Sequence, residues 1–342
     1  MLKANFQHHP MIFKRPAGTS RGVLLAKDSW LITLTDGNDT SRYGIGEASI
    51  IPGLSIDPPE AVEAELTKLC KNIASYPVWL ETHGTTFPAI RFALETALHD
   101  MNYGGNQIFG ETAFTKGEAG ITINGLIWMG DAEFMKAQLL EKIKAGFNCI
   151  KLKIGALDFE KELALLASIR SKYDADEIEI RLDANGAFAP DKAMNKLEQL
   201  AQFNIHSIEQ PIKAGQRHEM AALCERSPIP IALDEELIGI HQEAIPALLA
   251  AIKPQYIILK PSLIGGLEAS EHWIEHAEKQ NMNWWATSAL ESNIGLNAIA
   301  QWVYKKQNPL PQGLGTGQLF SNNIASPLEI RDAKLFHNPK LQ

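Results

Sequence analysis

Five ionisable residues, each at the end of an apolar run, are the most informative feature of the sequence. They are Lys153, Asp183, Glu209, Asp234 and Lys260, and successive members are 30, 26, 25 and 26 residues apart. Each interval is about the length of one strand–helix unit of an α/β protein. Because the carboxyl ends of consecutive parallel strands meet at one mouth of a barrel, the spacing predicts that these five side chains converge there.

Three of the five, Asp183, Glu209 and Asp234, are carboxylates that would repel one another in a buried mouth. At an effective dielectric constant of about 20, each close pair costs on the order of several kcal/mol. Hard oxygen ligands on rigid strands suit Mg²⁺, for which Mn²⁺ could substitute, and the series includes no histidine or cysteine that would favour zinc. We therefore expect these three residues to form a magnesium site.

The lysines on either side of the carboxylates supply the second half of the chemistry. Lys151 and Lys153 lie two residues apart in one strand, so they share a face. An ordinary lysine keeps its proton at neutral pH, but burial and a neighbouring ammonium group both favour the neutral amine. We expect Lys153, assisted by Lys151, to remove a proton from the carbon next to a carboxylate, with Lys260 on the other flank. The resulting enediolate gathers negative charge on oxygen, which Mg²⁺ can stabilise.

The segments that carry these residues alternate with amphipathic stretches from about residue 120 onward. We predict eight apolar strands: Ile121–Trp128, Cys149–Ile154, Glu177–Leu182, Ile205–Glu209, Ile229–Leu233, Tyr256–Leu259, Asn283–Thr287 and Gln312–Gly315. Helical stretches such as Ala132–Ala145, Asp158–Lys172 and Pro190–Phe203 lie between them. The pattern predicts an α/β fold with a modified, TIM-like (β/α)8 barrel over residues 119–321. The alternative, a doubly wound open sheet, lacks its glycine-rich fingerprint after the first strand.

Residues 1–118 have a different pattern, which predicts an α+β capping domain. Gly22–Thr35 and Ser41–Ser49 have the composition of strands, and Pro58–Ile73 and Phe87–Tyr103 have the features of helices. We expect residues 322–342 to pack back onto this domain. The segment from Arg15 to Gly22 is either a lid over the barrel mouth or an ordinary hairpin loop.

The composition limits the function classes. The 342-residue chain has a formal net charge of −8, which argues against a nucleic-acid partner. Its longest apolar run, Ala244–Ile252, contains a proline and is too short to span a membrane. The three cysteines are far apart, which favours free thiols in a reducing compartment. We therefore expect a cytoplasmic protein that acts on a small carboxylate, and the sequence leaves its oligomeric state open.

Together these residues resemble the muconate-lactonizing branch of the enolase superfamily, over nearly the whole chain. The matching motifs are Lys151-Leu152-Lys153, Asp183-Ala184-Asn185, Glu209-Gln210-Pro211, Asp234-Glu235 and Lys260-Pro261-Ser262-Leu263-Ile264-Gly265-Gly266. That superfamily uses a lysine or histidine base with Mg²⁺. The resemblance implies that Asp183, Glu209 and Asp234 bind Mg²⁺ and that Lys153 and Lys260 form the acid/base pair.

Within that branch, two further motifs are similar to the o-succinylbenzoate synthase family. They are Thr287-Ser288-Ala289-Leu290-Glu291-Ser292 and Gly313-Leu314-Gly315-Thr316-Gly317-Gln318-Leu319-Phe320. The resemblance implies a lyase that dehydrates 2-succinyl-6-hydroxy-2,4-cyclohexadiene-1-carboxylate to o-succinylbenzoate in menaquinone biosynthesis. It also implies a set of substrate-binding residues, which are Arg181, Asn185, Ser288, Glu291, Ser292, Gly315 and Thr316.

Other activities on the same scaffold remain open as alternatives. Dipeptide epimerases resemble this chain up to strand eight, where they carry an Asp-x-Asp motif for the substrate ammonium group. The residues here are Gly315-Thr316-Gly317, whose backbone amides suit a carboxylate instead. A muconate cycloisomerase is the second alternative. A non-catalytic binding protein is disfavoured, because buried charges without a function cost stability.

Overall fold

A computed structural model describes residues 1–19, 22–128, 130–155 and 157–341. A cap of antiparallel strands and helices comes first along the chain. Its elements are β1 (Leu2–His8), β2 (Met11–Thr19), β3 (Gly22–Lys27), β4 (Ser29–Asp36), β5 (Asp39–Ser49), α1 (Pro59–Lys71), α2 (Tyr76–Thr82) and α3 (Pro88–Asn102). The main sheet of the cap has the order β1-β4-β5, and β2 pairs separately with β3.

The core of the cap lies between strand β4 and helix α3. Alternate residues of β4, namely Trp30, Ile32 and Leu34, are buried at the two-residue period of a strand. Helix α3 approaches β5 so closely that an ideal Cβ at Gly46 would lie 1.9 Å from the carbonyl oxygen of Ala93. Only glycine allows this approach, so position 46 fixes how the helix sits on the sheet.

Short strands and helices alternate along the next part of the chain. They are β6 (Ile121–Thr122), β7 (Gly125–Ile127), α4 (Ala132–Lys144), β8 (Cys149–Lys153), α5 (Phe159–Arg170), β9 (Glu179–Asp183), α6 (Pro190–Ala201), β10 (Ser207–Glu209), α7 (Arg217–Arg226), β11 (Ile231–Leu233), α8 (Ile245–Ile252), β12 (Tyr256–Leu259), α9 (Pro261–Ile264), α10 (Gly266–Lys279), β13 (Asn283–Ala286) and α11 (Asn293–Lys306). Strands β7 to β13 form one parallel sheet in sequence order.

No helix in the described parts of the chain is long and apolar enough to cross a membrane.

The barrel closes through a very short eighth strand at residues 312–313. Gln312 forms a parallel bridge with Ile123, and Gly313 forms one with Thr287. Backbone hydrogen bonds of 2.8–3.0 Å accompany these bridges. The predicted modified (β/α)8 barrel is therefore confirmed, although its last strand pairs through two residues rather than the four that the sequence pattern indicates.

The cap differs more from the prediction than the barrel does. The predicted strand Gly22–Thr35 is two strands, β3 and β4, which are separated at Asp28 and belong to different sheets. Strands β1 and β2 and helix α2 are absent from the sequence prediction. In β1 no residue is fully buried, so its sequence lacks the strong apolar signal of a core strand.

The chain after the barrel contacts both parts of the molecule. Backbone hydrogen bonds join residues 319–321 to β2, from Lys14 to Leu319 at 2.8 Å and from Ser321 to Ile12 at 2.9 Å. A hairpin of β14 (Leu328–Arg331) and β15 (Lys334–His337) then pairs with β6 at the start of the barrel. The predicted domain limits, with residues 322–342 on the cap, stay a prediction.

Glu47 on β5 holds the cap onto the barrel. Its fully buried carboxylate accepts hydrogen bonds from the N–H and hydroxyl of Ser292, at 2.8 and 2.5 Å, and from the N–H of Gly295 at 3.0 Å. Ser292 is the N-cap of α11, so the carboxylate lies at the positive end of that helix. Ser29 of β4 donates a further hydrogen bond at 2.8 Å.

Removing this carboxylate should weaken the contact between cap and barrel. We expect Glu47→Ala to lower the free energy of unfolding by about 2–4 kcal/mol, because buried donors at the start of α11 lose their acceptor. Urea unfolding followed by circular dichroism measures the change. The control Glu81→Ala, on the exposed side of α2, should stay within about 0.5 kcal/mol of the parent protein. Equally small effects for both variants would contradict the role of Glu47.

Candidate active site

The parallel register places the predicted residues side by side at one mouth of the barrel. Lys153 on β8 is opposite Asp183 on β9, which is opposite Glu209 on β10. Asp234 and Lys260 directly follow β11 and β12. The three carboxylates are 1–2% exposed. The convergence that the sequence spacing predicts is therefore present, because each side chain lies at the carboxyl end of its strand or directly after it.

Neighbouring carboxylates share lysine ammonium groups. The Nζ of Lys151 lies 2.5 Å from Glu209 Oε2 and 3.2 Å from Asp183 Oδ2. The Nζ of Lys153 lies 2.9 Å from that same oxygen of Asp183. Lys260 donates to Asp234, and its Nζ is 3.7 Å from Glu209 Oε1. Three ammonium groups thus balance three carboxylates in a ring that is almost closed to water.

Burial and charge act in opposite directions on the pKa values of this ring. Burial by itself would raise the pKa of Asp183, but the ammonium groups of Lys151, Lys153 and Lys260 hold it well below its ordinary value. For Asp234 burial prevails over the attraction of Lys260, so its pKa is raised. The pKa of Lys260 is raised because its carboxylate neighbours outweigh the cost of burying the charge. The pKa of Lys151 is raised for the same reason. The expectation that Lys151 makes Lys153 a usable base stays a prediction.

The donor set fits a hard divalent cation. Glu209 Oε1 is a buried acceptor with no hydrogen-bond partner among the described residues. All three candidate ligands are oxygen donors, as Mg²⁺ requires. In the described parts of the chain, no three acidic, histidine or cysteine side chains already surround a single point at ligand distance. The carboxylates face ammonium groups instead, so a bound cation would replace some of these lysine contacts.

A cavity of about 720 Å³, counting its part open to solvent, lies over the ring. Lys151, Lys153, Asp183 and Lys260 form its charged side. The cap and the remaining strand ends complete the lining, which consists of Leu24, Ile51, Leu54, Asn124, Leu126, Trp128, Asn185, Thr287, Ser288, Ala289, Leu290, Gly313, Gly315 and Thr316. The cavity therefore combines a charged floor with walls that are apolar or neutral.

Four of the predicted substrate-binding residues line this cavity, namely Asn185, Ser288, Gly315 and Thr316. Asn185 follows β9 and accepts a hydrogen bond from Lys153 Nζ at 2.8 Å. Its backbone adopts a left-handed conformation with φ of 43°, which asparagine tolerates better than most residues. Asn185 is therefore placed to orient the amine of Lys153.

The other three predicted substrate-binding residues do not line the cavity. Arg181 points into the barrel interior, where it donates to Pro311 O at 2.8 Å and lies 4.3 Å above the ring of Trp285. Glu291 is fully buried and binds two serine hydroxyls, and Ser292 caps α11. Strand alternation puts Arg181 on the same inward face as Asp183, but one layer deeper.

Several cavity residues are missing from the sequence prediction. Thr287 directly follows strand β13, so the strand-end rule that finds the ionisable series could also have found it. Asn124 lies between β6 and β7, inside the predicted strand Ile121–Trp128, where that rule does not apply. Leu24 and Leu54 come from the cap, and no local pattern in the sequence indicates which cap residues lie over the barrel.

The segment proposed as a lid lies partly outside the described residues. Residues 20 and 21 are among those that the structure does not describe. Arg15, Pro16 and Ala17 line a neighbouring cavity that shares Asn124 and Trp128 with the first one. The choice between a lid and a hairpin loop stays a prediction.

Comparisons with known proteins agree with this geometry. The family model described as "Enolase C-terminal domain-like" matches residues 135–336. An o-succinylbenzoate synthase of Desulfotalea psychrophila is 48% identical, over 96% of this chain and 97% of the relative.

Solved structures give the same result for the fold. MenC from Desulfotalea psychrophila superposes with a TM-score of 0.88 at 44% identity, covering 98% of this chain and 99% of that one. A dipeptide epimerase from Enterococcus faecalis, complexed with Mg and a dipeptide, superposes with a TM-score of 0.81 at 19% identity, covering 98% and 97%. At that identity the epimerase supports the fold alone.

Proposed function

The chain belongs to the enolase superfamily, and from that membership we propose that it is an o-succinylbenzoate synthase, a carbon–oxygen lyase. It dehydrates 2-succinyl-6-hydroxy-2,4-cyclohexadiene-1-carboxylate to o-succinylbenzoate, a step of menaquinone biosynthesis. The observation that carries the proposal is 48% identity to a synthase of this name over 96% of the chain. The ring of lysines and carboxylates supplies the groups that such a dehydration needs.

Asp183, Glu209 and Asp234 would hold the Mg²⁺ ion. When bound, the ion supplies positive charge that stabilises the carboxylate of the substrate as negative charge gathers on its oxygens. The ring already contains three ammonium groups for three carboxylates. With a divalent cation bound and Lys153 deprotonated for its role as the base, these groups carry a net charge of about +1, which favours an anionic substrate.

Lys153 carries the proton in this reaction. Its neutral amine removes the proton from the ring carbon that bears the carboxylate. The bond between the neighbouring carbon and its hydroxyl then breaks, and Lys153 returns the proton to the departing hydroxyl, so that water leaves from the same side. Asn185 orients the amine through the hydrogen bond of 2.8 Å. Lys260 stays cationic on the opposite flank and supports the developing negative charge.

The direct test is turnover by the purified protein with Mg²⁺ present. We expect conversion of the cyclohexadiene carboxylate to o-succinylbenzoate, followed by chromatography of the product. Epimerisation of L-Ala-D/L-Glu and cycloisomerisation of muconate are measured in parallel, because both reactions occur on this scaffold. Faster turnover of either compound, with no dehydration, would replace the proposed function by the corresponding alternative.

The two flanking lysines should be indispensable to the reaction. We expect Lys153→Ala and Lys260→Ala to lower kcat by about 10²–10⁴-fold, the range for a lost acid/base group. Steady-state kinetics on the cyclohexadiene carboxylate measure the loss. Lys172→Ala, at an exposed site after α5, is the control and should keep the parent rate. Full dehydratase activity in either active-site variant would rule out these roles.

The magnesium site can be tested without turnover. Calorimetric titration with MgCl₂ should show binding to the parent protein and its loss in Asp183→Asn, Glu209→Gln and Asp234→Asn, because each variant loses one anionic oxygen ligand. The control Asp191→Asn, on the exposed first turn of α6, should bind as the parent does. Unchanged Mg²⁺ affinity in all three active-site variants would place the ion elsewhere.

A further inference from the structure

One wall of the active-site cavity carries four neutral polar side chains. They are Asn124, Thr287, Ser288 and Thr316. Asn124 lies between β6 and β7, Thr287 and Ser288 follow β13, and Thr316 follows the short eighth strand. The charged ring lies at the ends of strands β8 to β12. The wall therefore faces the part of a bound substrate that the ring does not hold, and its free hydrogen-bonding groups determine what it can recognise.

The hydroxyl of Ser288 has no capacity left for a substrate. It donates to Glu291 Oε2 at 2.6 Å and accepts from the N–H of Leu290 at 3.0 Å and from the hydroxyl of Thr316 at 2.8 Å. One proton and two lone pairs are all that a hydroxyl offers. Ser288 is thus a structural member of the wall, although it lines the cavity.

Glu291 fixes the direction of this chain of hydroxyls. The second oxygen of its buried carboxylate accepts from Ser262 at 2.5 Å, and Ser262 lies two residues after Lys260. A carboxylate that only accepts obliges both serines to donate. The hydroxyl of Ser288 must then accept a hydrogen bond from the hydroxyl of Thr316, so Thr316 has no hydroxyl proton left to donate to a ligand. Three strand ends are tied together in this way.

Asn124 and Thr287 differ from their neighbours on the wall. The amide oxygen of Asn124 and the hydroxyl of Thr287 have no hydrogen-bond partner among the described residues, although these residues are only 4% and 8% exposed. A buried polar atom without a partner costs free energy, and such atoms are uncommon in folded proteins. Both side chains lie against the cavity, so a bound molecule could supply the missing partners.

Both residues sit on rigid backbone. Asn124 donates its N–H to Gln312 O at 2.9 Å, and Thr287 donates its N–H to Leu259 O at 2.8 Å. An ideal Cβ at Gly313 would lie 2.4 Å from the hydroxyl oxygen of Thr287. Glycine at 313 therefore leaves the room that the Thr287 side chain occupies, and the position of its hydroxyl is set by the barrel itself.

We propose that Asn124 and Thr287 are specificity-determining residues that bind uncharged oxygen groups of the substrate. The amide oxygen of Asn124 accepts from a hydroxyl, whereas the hydroxyl of Thr287 donates to a ketone or bonds a hydroxyl. This inference rests on the proposed function, in which the substrate carries one ketone on its side arm and one hydroxyl on its ring. The three lysines are the only cations in the described lining of the cavity, and all belong to the ring. The wall consequently suits a neutral group better than a carboxylate.

The test uses Thr287→Val and Asn124→Leu, which keep the approximate size of each side chain and remove its hydrogen-bonding groups. We expect each variant to raise KM by about three- to tenfold, with kcat within about twofold, because one neutral hydrogen bond to the substrate is lost. Thr287→Ser should restore the KM. The melting temperature should not fall in Thr287→Val, because the lost hydroxyl has no partner in the free protein.

The matched control is Thr96→Val in α3, where the buried hydroxyl donates to Phe92 O at 2.8 Å. The same chemical change there should lower the melting temperature and leave KM unchanged. Unchanged KM in both wall variants, or a lowered melting temperature as their only effect, would overturn the inference.

Calorimetric binding of the product separates the two oxygen groups. o-Succinylbenzoate keeps the ketone of the side arm but has lost the ring hydroxyl. Weaker product binding by Thr287→Val assigns the contact of Thr287 to the ketone, and unchanged product binding with a raised KM assigns it to the hydroxyl. Asn124→Leu should leave product binding unchanged, because the amide oxygen of Asn124 can accept only from the hydroxyl. Absence of turnover by the parent protein would count against the proposed function, whereas unchanged variants of an active parent would count only against this inference.

Discussion

Three carboxylates and three ammonium groups in one buried ring are the constraint on which the rest of this structure depends. None of these charges is stable alone in such a place, because burial of an unpaired ion costs several kcal/mol or more. In the ring each of two lysines pairs with two carboxylates, so no charge is left without a partner. Lys151 lies between Asp183 and Glu209, and Lys260 lies between Glu209 and Asp234. A balanced ring can take up a divalent cation and an anionic substrate together without leaving either charge uncompensated.

The barrel backbone provides the rigidity that this sharing requires. Parallel pairing fixes Lys153, Asp183 and Glu209 at the same level. Inserting or deleting a residue within one of these strands would therefore move its charged side chain out of the ring. Arg181 lies in the layer of inward-facing side chains directly beneath the charged ring. Its guanidinium stacks on Trp285 and bonds Pro311, next to the two-residue eighth strand. A long, buried cation thus helps to hold the shortest part of the barrel.

Two further buried carboxylates connect the site to its surroundings. Glu47 reaches from the cap to the first turn of α11, and Glu291 ties the turn after Lys260 to Ser288. Burial raises the pKa of Glu291, and the negative charge of Glu47 adds to this effect, while serine hydroxyls oppose it. Because the surrounding serine hydroxyls donate their protons to these carboxylates, those hydroxyls cannot donate to a ligand. The carboxylates therefore determine which polar groups of the cavity wall remain available.

The sequence by itself determined the barrel and its charged ring. Regular spacing of strand-end residues is a local signal, and the geometry of parallel strands converts it directly into convergence at one mouth. The motifs that resemble the o-succinylbenzoate synthases likewise lie within short stretches of chain. Only the tertiary structure decided which cap residues cover the cavity, since Leu24 and Leu54 approach it across the interface between cap and barrel. It also decided that Arg181, Glu291 and Ser292 support the site while Asn124 and Thr287 face the cavity. The physical reason is that hydrogen-bond saturation depends on partners far apart in sequence, and no pattern of residue types records it.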